Sequence, residues 1–185
     1  MYDVVLALHS LVRWVALALG LVAAGAALAS TFGSRRFSDG DLRAGRLFAV
    51  SLDVQMLLGL LLYLVLSPIA SSAMADFGGA MGNPVLRFWM IEHPTMMVAA
   101  LALAHIGVAR VRRAPPASRP RQAAIFFSLA LLLLVVATPW PFSTVARPLV
   151  PFGEQTGSGN RRGTPAPRSR QPRLSSVTGC PPPAG

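Results

Sequence analysis

The 185-residue sequence has few charged residues and a single cysteine, and each shortage excludes a class of protein. Asp, Glu, Lys and Arg make up 13% of the chain, whereas a soluble domain usually carries about a quarter. The one cysteine, Cys180, excludes an internal disulfide, a paired-cysteine haem attachment and a cysteine zinc cluster. Metal-hydrolase, phosphate-loop and nucleophile-elbow motifs are also absent, so soluble-type enzyme chemistry has no support and we assign no catalytic residue.

Lysine is missing as well, and all 17 basic residues are arginine, giving a net charge of +10. These arginines are not interleaved with aromatic residues in the way that base-stacking surfaces require. The sequence therefore does not predict nucleic-acid binding, despite its charge. Many of the arginines instead lie between apolar stretches, where positive charge sets the orientation of membrane spans.

Long apolar stretches dominate the rest of the chain, in which 53% of residues are hydrophobic. The stretches cover residues 4–32, 47–69, 88–111 and 123–140. About 20 apolar residues cross a bilayer as a helix, and a helix satisfies its own backbone groups in lipid. We therefore predict an all-α, four-helix transmembrane bundle over residues 1–152. Residues 153–185 are rich in Pro, Gly, Ser and Arg and are predicted to form a disordered tail.

The distribution of arginine between the stretches predicts the topology. Arg35, Arg36, Arg43 and Arg46 follow the first stretch, and Arg110, Arg112, Arg113, Arg119 and Arg121 follow the third. The connection from 67 to 87 carries only Arg87, which we expect to form an interfacial charge pair with Glu92. Because positive residues near span ends stay in the cytoplasm, both termini are predicted to lie outside.

The first stretch has a competing interpretation as a signal peptide. Ala27, Leu28 and Ala29 before Ser30 form a small-residue pattern that is typical of a cleavage site. Against it, the residues before Trp14 include Asp3 and only one positive charge, and cleavage would leave four arginines outside. We expect the first stretch to be retained as a span.

Apart from Arg110 at the end of the third stretch, the ionisable candidates inside the apolar stretches number six, and charge there is costly and commonly kept for function. They are His9, Arg13, Asp53, Glu92, His93 and His105, with Gln55 as a polar neighbour. Because the first and third stretches enter from the same side, His9 and His93 are predicted to lie at one level near the outer surface. His105 lies about 18 Å deeper, at the level of Asp53. The sequence thus predicts two layers of paired polar residues.

The outer layer has the residue types of a haem site. Two neutral imidazoles on facing helices are what axial ligation of a b-type haem requires. Arg13 lies one turn from His9 and would pair with a propionate, while Gly20 returns to the His9 face and would leave room for the ring. A structural interpretation stays open, in which His93 caps its helix before Pro94. The inner layer is equally compatible with an interhelical hydrogen bond and with a proton relay.

Four segments resemble a family of small bacterial four-helix membrane proteins labelled cytochrome b-like. They are LHSLVRW at 8–14, VQMLLG at 54–59, RFWMIEHP at 87–94 and TPWPF at 138–142. The resemblance covers residues 1 to about 152 and implies that the ligand of the family contacts His9, Arg13, Gln55, Glu92 and His93. Asp53 stands where the family would have a histidine, and a carboxylate is a poor ligand for a b-type haem.

The resulting hypothesis is a membrane protein of the bacterial cytoplasmic membrane that resembles a small b-type cytochrome and transfers single electrons through one haem b near the outer face. Its partners would be the lipid bilayer and a quinone or other redox membrane proteins. One alternative is a membrane subunit or assembly protein without a cofactor, in a homo- or hetero-oligomer. Another is quinone or proton handling through Asp53, Gln55 and His105.

Overall fold

The structure is a computed structural model that describes residues 1–140 and 142, with 68 and 69 described by their backbone alone. Every regular element in that part of the chain is helical, as predicted, and no strand occurs in it. Four of the helical segments are long and apolar enough to cross a membrane. The protein is therefore an all-α membrane protein over these residues. The tail predicted for 153–185 lies outside them.

The helices fall into long spanning segments and short connecting ones. In chain order they are α1 (Tyr2–Phe32), α2 (Asp39–Leu61), α3 (Pro68–Ala75), α4 (Phe77–Gly82), α5 (Pro84–Arg87), α6 (His93–Arg113) and α7 (Arg119–Val136). A wider π-type turn, Leu62–Leu66, extends α2, and a second one, Phe88–Glu92, joins α5 to α6. A single 3₁₀ turn at Pro116–Ser118 precedes α7.

The four long helices pack as a ring in which α1 contacts α2, α2 contacts α6, α6 contacts α7, and α7 closes back on α1. Consecutive long helices run in opposite directions: the start of α1 lies beside the end of α2, and the start of α6 lies beside the ends of α2 and α7. As a result, α1 and α6 are diagonal, run in the same direction and begin at the same end of the bundle. We call this the histidine end, since it carries His9 and His93, and the opposite end, with Arg35 and Arg110–Arg113, the arginine-rich end.

Small side chains allow the long helices to approach closely at the arginine-rich half. The buried residues there are mostly alanines, namely Ala16, Ala23, Ala24, Ala27, Ala49, Ala104, Ala123, Ala124 and Ala130. Small residues at helix contacts are the usual means of close packing in membranes. Two fully buried rings, Phe48 and Phe127, fill the remaining space. The close packing of this half leaves a cavity between the four long helices only towards the histidine end, among the described residues.

The second helix begins at Asp39, before the apolar stretch that starts at residue 47, because polar groups cap it. The Ser38 hydroxyl accepts a hydrogen bond from the Asp41 N–H, and the Asp41 carboxylate accepts one from the Ser38 N–H. Arg35 donates to both carboxylate oxygens of Asp41, over 2.9 Å and 2.7 Å. This hydrogen bond raises the pKa of the Arg35 guanidinium above its usual value. The α1–α2 connection is therefore fixed by a capping box and an ion pair.

The last long helix ends at Val136, earlier than the predicted Trp140. Pro139 cannot donate a backbone hydrogen bond, so the helical ladder stops before it. Side chains then satisfy the final carbonyls: the Thr138 hydroxyl donates to Leu134 over 2.8 Å, and the Trp140 indole N–H donates to Val135 over 2.9 Å.

Candidate functional site

A cavity of about 190 Å³ opens between the long helices at the histidine end. Its lining is mostly apolar, and its polar members include His9, Arg13, Gln55 and His93. These residues come from α1, α2 and α6, far apart along the chain. The cavity is larger than the roughly 150 Å³ engineered cavity that admits benzene, so it has room for a single aromatic ring. A concave, mainly apolar site with a few convergent polar groups is the usual form of a ligand-binding site.

The two histidines of the predicted outer layer meet inside this cavity. The ring centres of His9 and His93 lie 6.5 Å apart, and the ring planes are inclined by 64°. Both rings are partly buried. Because α1 and α6 are diagonal in the bundle, the imidazoles reach towards each other across its centre. The predicted meeting of the two histidines at one level is confirmed.

A backbone carbonyl at the end of α7 orients the His93 ring. The His93 Nδ1 lies 2.9 Å from the carbonyl oxygen of Ala137. A helical partner for that carbonyl would be the N–H of residue 141, which is proline and has none. Since a carbonyl only accepts, Nδ1 carries the proton and donates to Ala137. In the neutral ring, Nε2 then presents a lone pair, which is the form in which histidine binds metals.

The His9 ring rests against α2, where a glutamine and a glycine receive it. The Gln55 amide nitrogen donates to the His9 carbonyl oxygen over 3.0 Å and lies 3.2 Å from His9 Nε2. The carbonyl contact fixes the orientation of the amide, so Nε2 accepts and also carries a lone pair. A side chain at Gly59 would bring its Cβ within 3.3 Å of the His9 ring. Sequence analysis gave no role to Gly59, although its position one turn after Gln55 places both on one helix face.

Arg13 also lines this cavity. Its side chain is buried, with 6% exposed, and contributes to the cavity lining one turn below His9. The guanidinium carbon lies 5.6 Å from the ring centre of Trp14, whose ring meets Trp140 edge to face at 6.4 Å. A positive charge is thus held at the edge of the cavity by aromatic contact.

Gly20 does not lie at the cavity, contrary to its predicted role beside a ring. A Cβ at Gly20 would come within 2.9 Å of the Phe48 ring and 3.0 Å of Leu131. Counting along the helix placed Gly20 on the His9 face, but at its depth that face is closed by side chains from α2 and α7. Gly20 is therefore a packing position.

The predicted inner pair is present, but it lies on the outside of the bundle. His105 Nε2 is 2.9 Å from the Asp53 carboxylate, and the two side chains are 51% and 44% exposed. Gln55 is turned to the other side of α2 and contacts His9. Of the three residues predicted to handle a quinone or protons together, Asp53 and His105 therefore lie on the outside of the bundle, and Gln55 lies in the cavity. The predicted charge pair of Arg87 with Glu92 is confirmed at 2.8 Å.

Tyr63 is a further residue of the site to which sequence analysis assigned no role. It lines the cavity, and its hydroxyl donates to the Met90 carbonyl oxygen over 3.0 Å. That carbonyl would normally bond the N–H of residue 94, which is proline. The detectable signal was Pro94 itself, since a proline in the first turn of a helix releases the carbonyl four residues earlier.

Comparison of the chain with protein-family models, with curated proteins and with solved structures gave no match.

Proposed function

We propose that this protein is a small b-type cytochrome that transfers single electrons through one haem held by His9 and His93. The observation that carries the proposal is the meeting of two imidazoles, 6.5 Å apart, in a mostly apolar cavity. Two imidazoles on opposite sides of one metal ion have ring centres roughly 6 Å apart, since each metal–nitrogen bond is about 2 Å. At their observed separation, His9 and His93 would be close enough to hold one haem iron between them.

The number of donors also favours haem over a bare metal ion. Within the described residues, no group of three or more His, Cys, Asp or Glu side chains is placed to hold a metal. A haem needs only two axial ligands from the protein, because the porphyrin supplies the other nitrogens. When bound, the haem would supply one-electron redox chemistry.

The remaining lining residues have supporting roles in this proposal. The Ala137 carbonyl orients His93 and makes its Nε2 more basic. Gln55 holds His9 against α2, and Arg13 brings a positive charge that favours the carboxylates of a propionate-bearing ligand. The Gln55 amide now contacts His9 Nε2, so ligation through that atom requires the amide to turn away.

The proposed setting is the bacterial cytoplasmic membrane, with both termini outside. The distribution of arginines supports this orientation, since positive residues cluster at one end of the four-helix bundle. The histidine end, and with it the haem, would then lie near the outer face. Quinones or redox proteins of the membrane are the proposed electron partners.

The test is a reduced-minus-oxidised absorption spectrum of the detergent-purified protein, expressed with a supply of haem. We expect a haem band in the wild type, loss of the band in His9→Ala and in His93→Ala, and retention in His105→Ala. The third variant is a matched control, since His105 lies outside the cavity. Circular dichroism verifies that each variant keeps its helices. A wild type without a band, or a band that survives both cavity substitutions, would refute the proposal.

Quinol binding in the same cavity is a second candidate, favoured by an unused hydrogen-bond acceptor on Gln55. Its Oε1 atom is buried and has no hydrogen-bond partner among the described residues, although the side chain lines the cavity. A quinol hydroxyl would donate to this oxygen while its ring occupied the apolar volume. This candidate predicts quinol binding by a wild type that shows no haem band, and loss of that binding in Gln55→Leu.

A further inference from the structure

A second, open pocket of about 470 Å³ lies at the arginine-rich end, between the last turns of α6 and the first turn of α7. Its polar lining consists of Arg110, Arg113, Ser118 and Gln122. On the side towards the middle of the bundle, Ile106 and Ala109 line it with apolar surface. The pocket therefore combines positive charge at the end of a spanning helix with a wall that lipid chains can contact.

The two arginines present their charge on one side of α6. They are three residues apart, which places them one above the other on a helix. The Arg110 guanidinium carbon lies 5.9 Å from the ring centre of Phe126 on α7, a cation–π contact between the two helices. The described lining contains no carboxylate. An arginine pair in such a place attracts an anion with several acceptor oxygens, because guanidinium groups bind phosphate in a bidentate manner.

The turn between α6 and α7 adds polar groups to the same pocket. The Ser118 hydroxyl donates to the Pro115 carbonyl oxygen over 3.1 Å, and it makes no capping hydrogen bond to the first N–H groups of α7. Gln122 lies one turn into α7 and contributes an amide. The start of α7 thus adds donors and the positive end of a helix dipole to the charge of the arginines.

We propose that this pocket binds the phosphate of an anionic phospholipid, with the acyl chains along Ile106 and Ala109. Basic pockets between spanning helices are a known form of site for anionic headgroups. A soluble phosphate compound would use the arginines but would gain nothing from the apolar wall. The position of the pocket at the end of α6, where bilayer phosphates lie, favours the lipid.

The test compares phosphatidylglycerol, phosphatidylcholine and inorganic phosphate as probes of the full-length protein in detergent. Bound lipid is counted by native mass spectrometry, and stabilisation is read as the shift in Tm on addition of each probe. We expect phosphatidylglycerol to bind and stabilise, phosphatidylcholine to bind more weakly, and inorganic phosphate to have little effect. Arg113→Gln should weaken phosphatidylglycerol binding about fivefold, as expected for one basic residue near a headgroup.

The matched control is Arg112→Gln, which removes the same charge at the same end from a side chain that does not line the pocket. Retention of phosphatidylglycerol binding in this variant, with loss in Arg113→Gln, supports the site. Equal loss in both variants would show general attraction to anionic surfaces and overturn it. Strong, Arg113-dependent binding of inorganic phosphate without a lipid preference would overturn the lipid assignment in favour of a soluble phosphate ligand. Circular dichroism establishes that both variants are folded.

Discussion

Two backbone carbonyls accept side-chain hydrogen bonds at the histidine end. The Tyr63 hydroxyl donates to the Met90 oxygen over 3.0 Å, and Pro94 offers no N–H to that oxygen. The Ala137 oxygen, just beyond the end of α7, accepts from His93 over 2.9 Å. An unsatisfied carbonyl is costly in lipid, so a side chain from another helix that donates to it is held in place. The Met90 and Ala137 oxygens thus help to position Tyr63 and His93.

Tyr63→Phe should lower the free energy of unfolding by about 1 kcal/mol, the usual net value of one hydrogen bond. The loss should be smaller in a Pro94→Ala background, because alanine restores a backbone N–H near the Met90 carbonyl. Thermal unfolding of the single and double variants in detergent measures both effects. An equal cost of Tyr63→Phe in the two backgrounds would contradict the link between Pro94 and Tyr63.

Glycines determine how closely the helices of the arginine-rich half pack. The fully buried ring of Phe127, on α7, lies against Gly45 of α2 and Gly107 of α6. A Cβ at Gly107 would come within 2.7 Å of the Phe126 Cβ and 3.0 Å of the Phe127 ring. Three helices therefore meet at the Phe127 ring. The contact is possible because Gly45 and Gly107 have no Cβ atom that would clash with it.

Gly107→Ala should destabilise the bundle by about 1 to 3 kcal/mol, the usual cost of overpacking a core. Gly25→Ala is the matched control, since nothing lies within 4 Å of a Cβ at Gly25. That control should leave the Tm unchanged or raise it slightly, because alanine favours helix. Thermal unfolding in detergent compares the two variants, and similar Tm values would show that the Phe127 contact does not limit packing.

Across the bundle, the polar residues of the spans form two separate centres. His9, Arg13, Gln55 and His93 share an interior cavity, while the Asp53–His105 pair lies on the outer surface at a different depth. No described residue of the outer pair lines the cavity. The outer pair is therefore expected to contribute to helix association, and the proposed redox function is expected to depend on the interior centre alone.

Asp53→Asn should lower the free energy of unfolding by only about 0.6 kcal/mol, the average for polar contacts between membrane helices. The haem band should be unchanged, because the pair does not reach the cavity. Thermal unfolding and absorption spectra of the same sample measure both outcomes. Loss of electron transfer or quinol binding in Asp53→Asn, with the fold intact, would instead favour proton handling by the outer pair.

Much of this arrangement was predictable from the chain alone, because length and depth follow from counting residues. Apolar length predicts four spanning helices, and a rise of 1.5 Å per residue places His9 level with His93 and Asp53 level with His105. Both pairs are present. The early start of α2 was also readable in principle, from Ser38 followed three residues later by Asp41.

Which way each side chain points depended on packing in three dimensions. A spanning helix that is apolar on all sides has no preferred face towards its neighbours, so hydropathy leaves its rotation about its own axis open. Contacts such as those of Phe127 with Gly45 and Gly107 set that rotation. They turn Gln55 inward and Asp53 outward, and they close the face of α1 at Gly20. The depth of a residue in the membrane follows from its position along its own helix. The side of the helix that contacts a neighbour is decided only when the whole bundle packs.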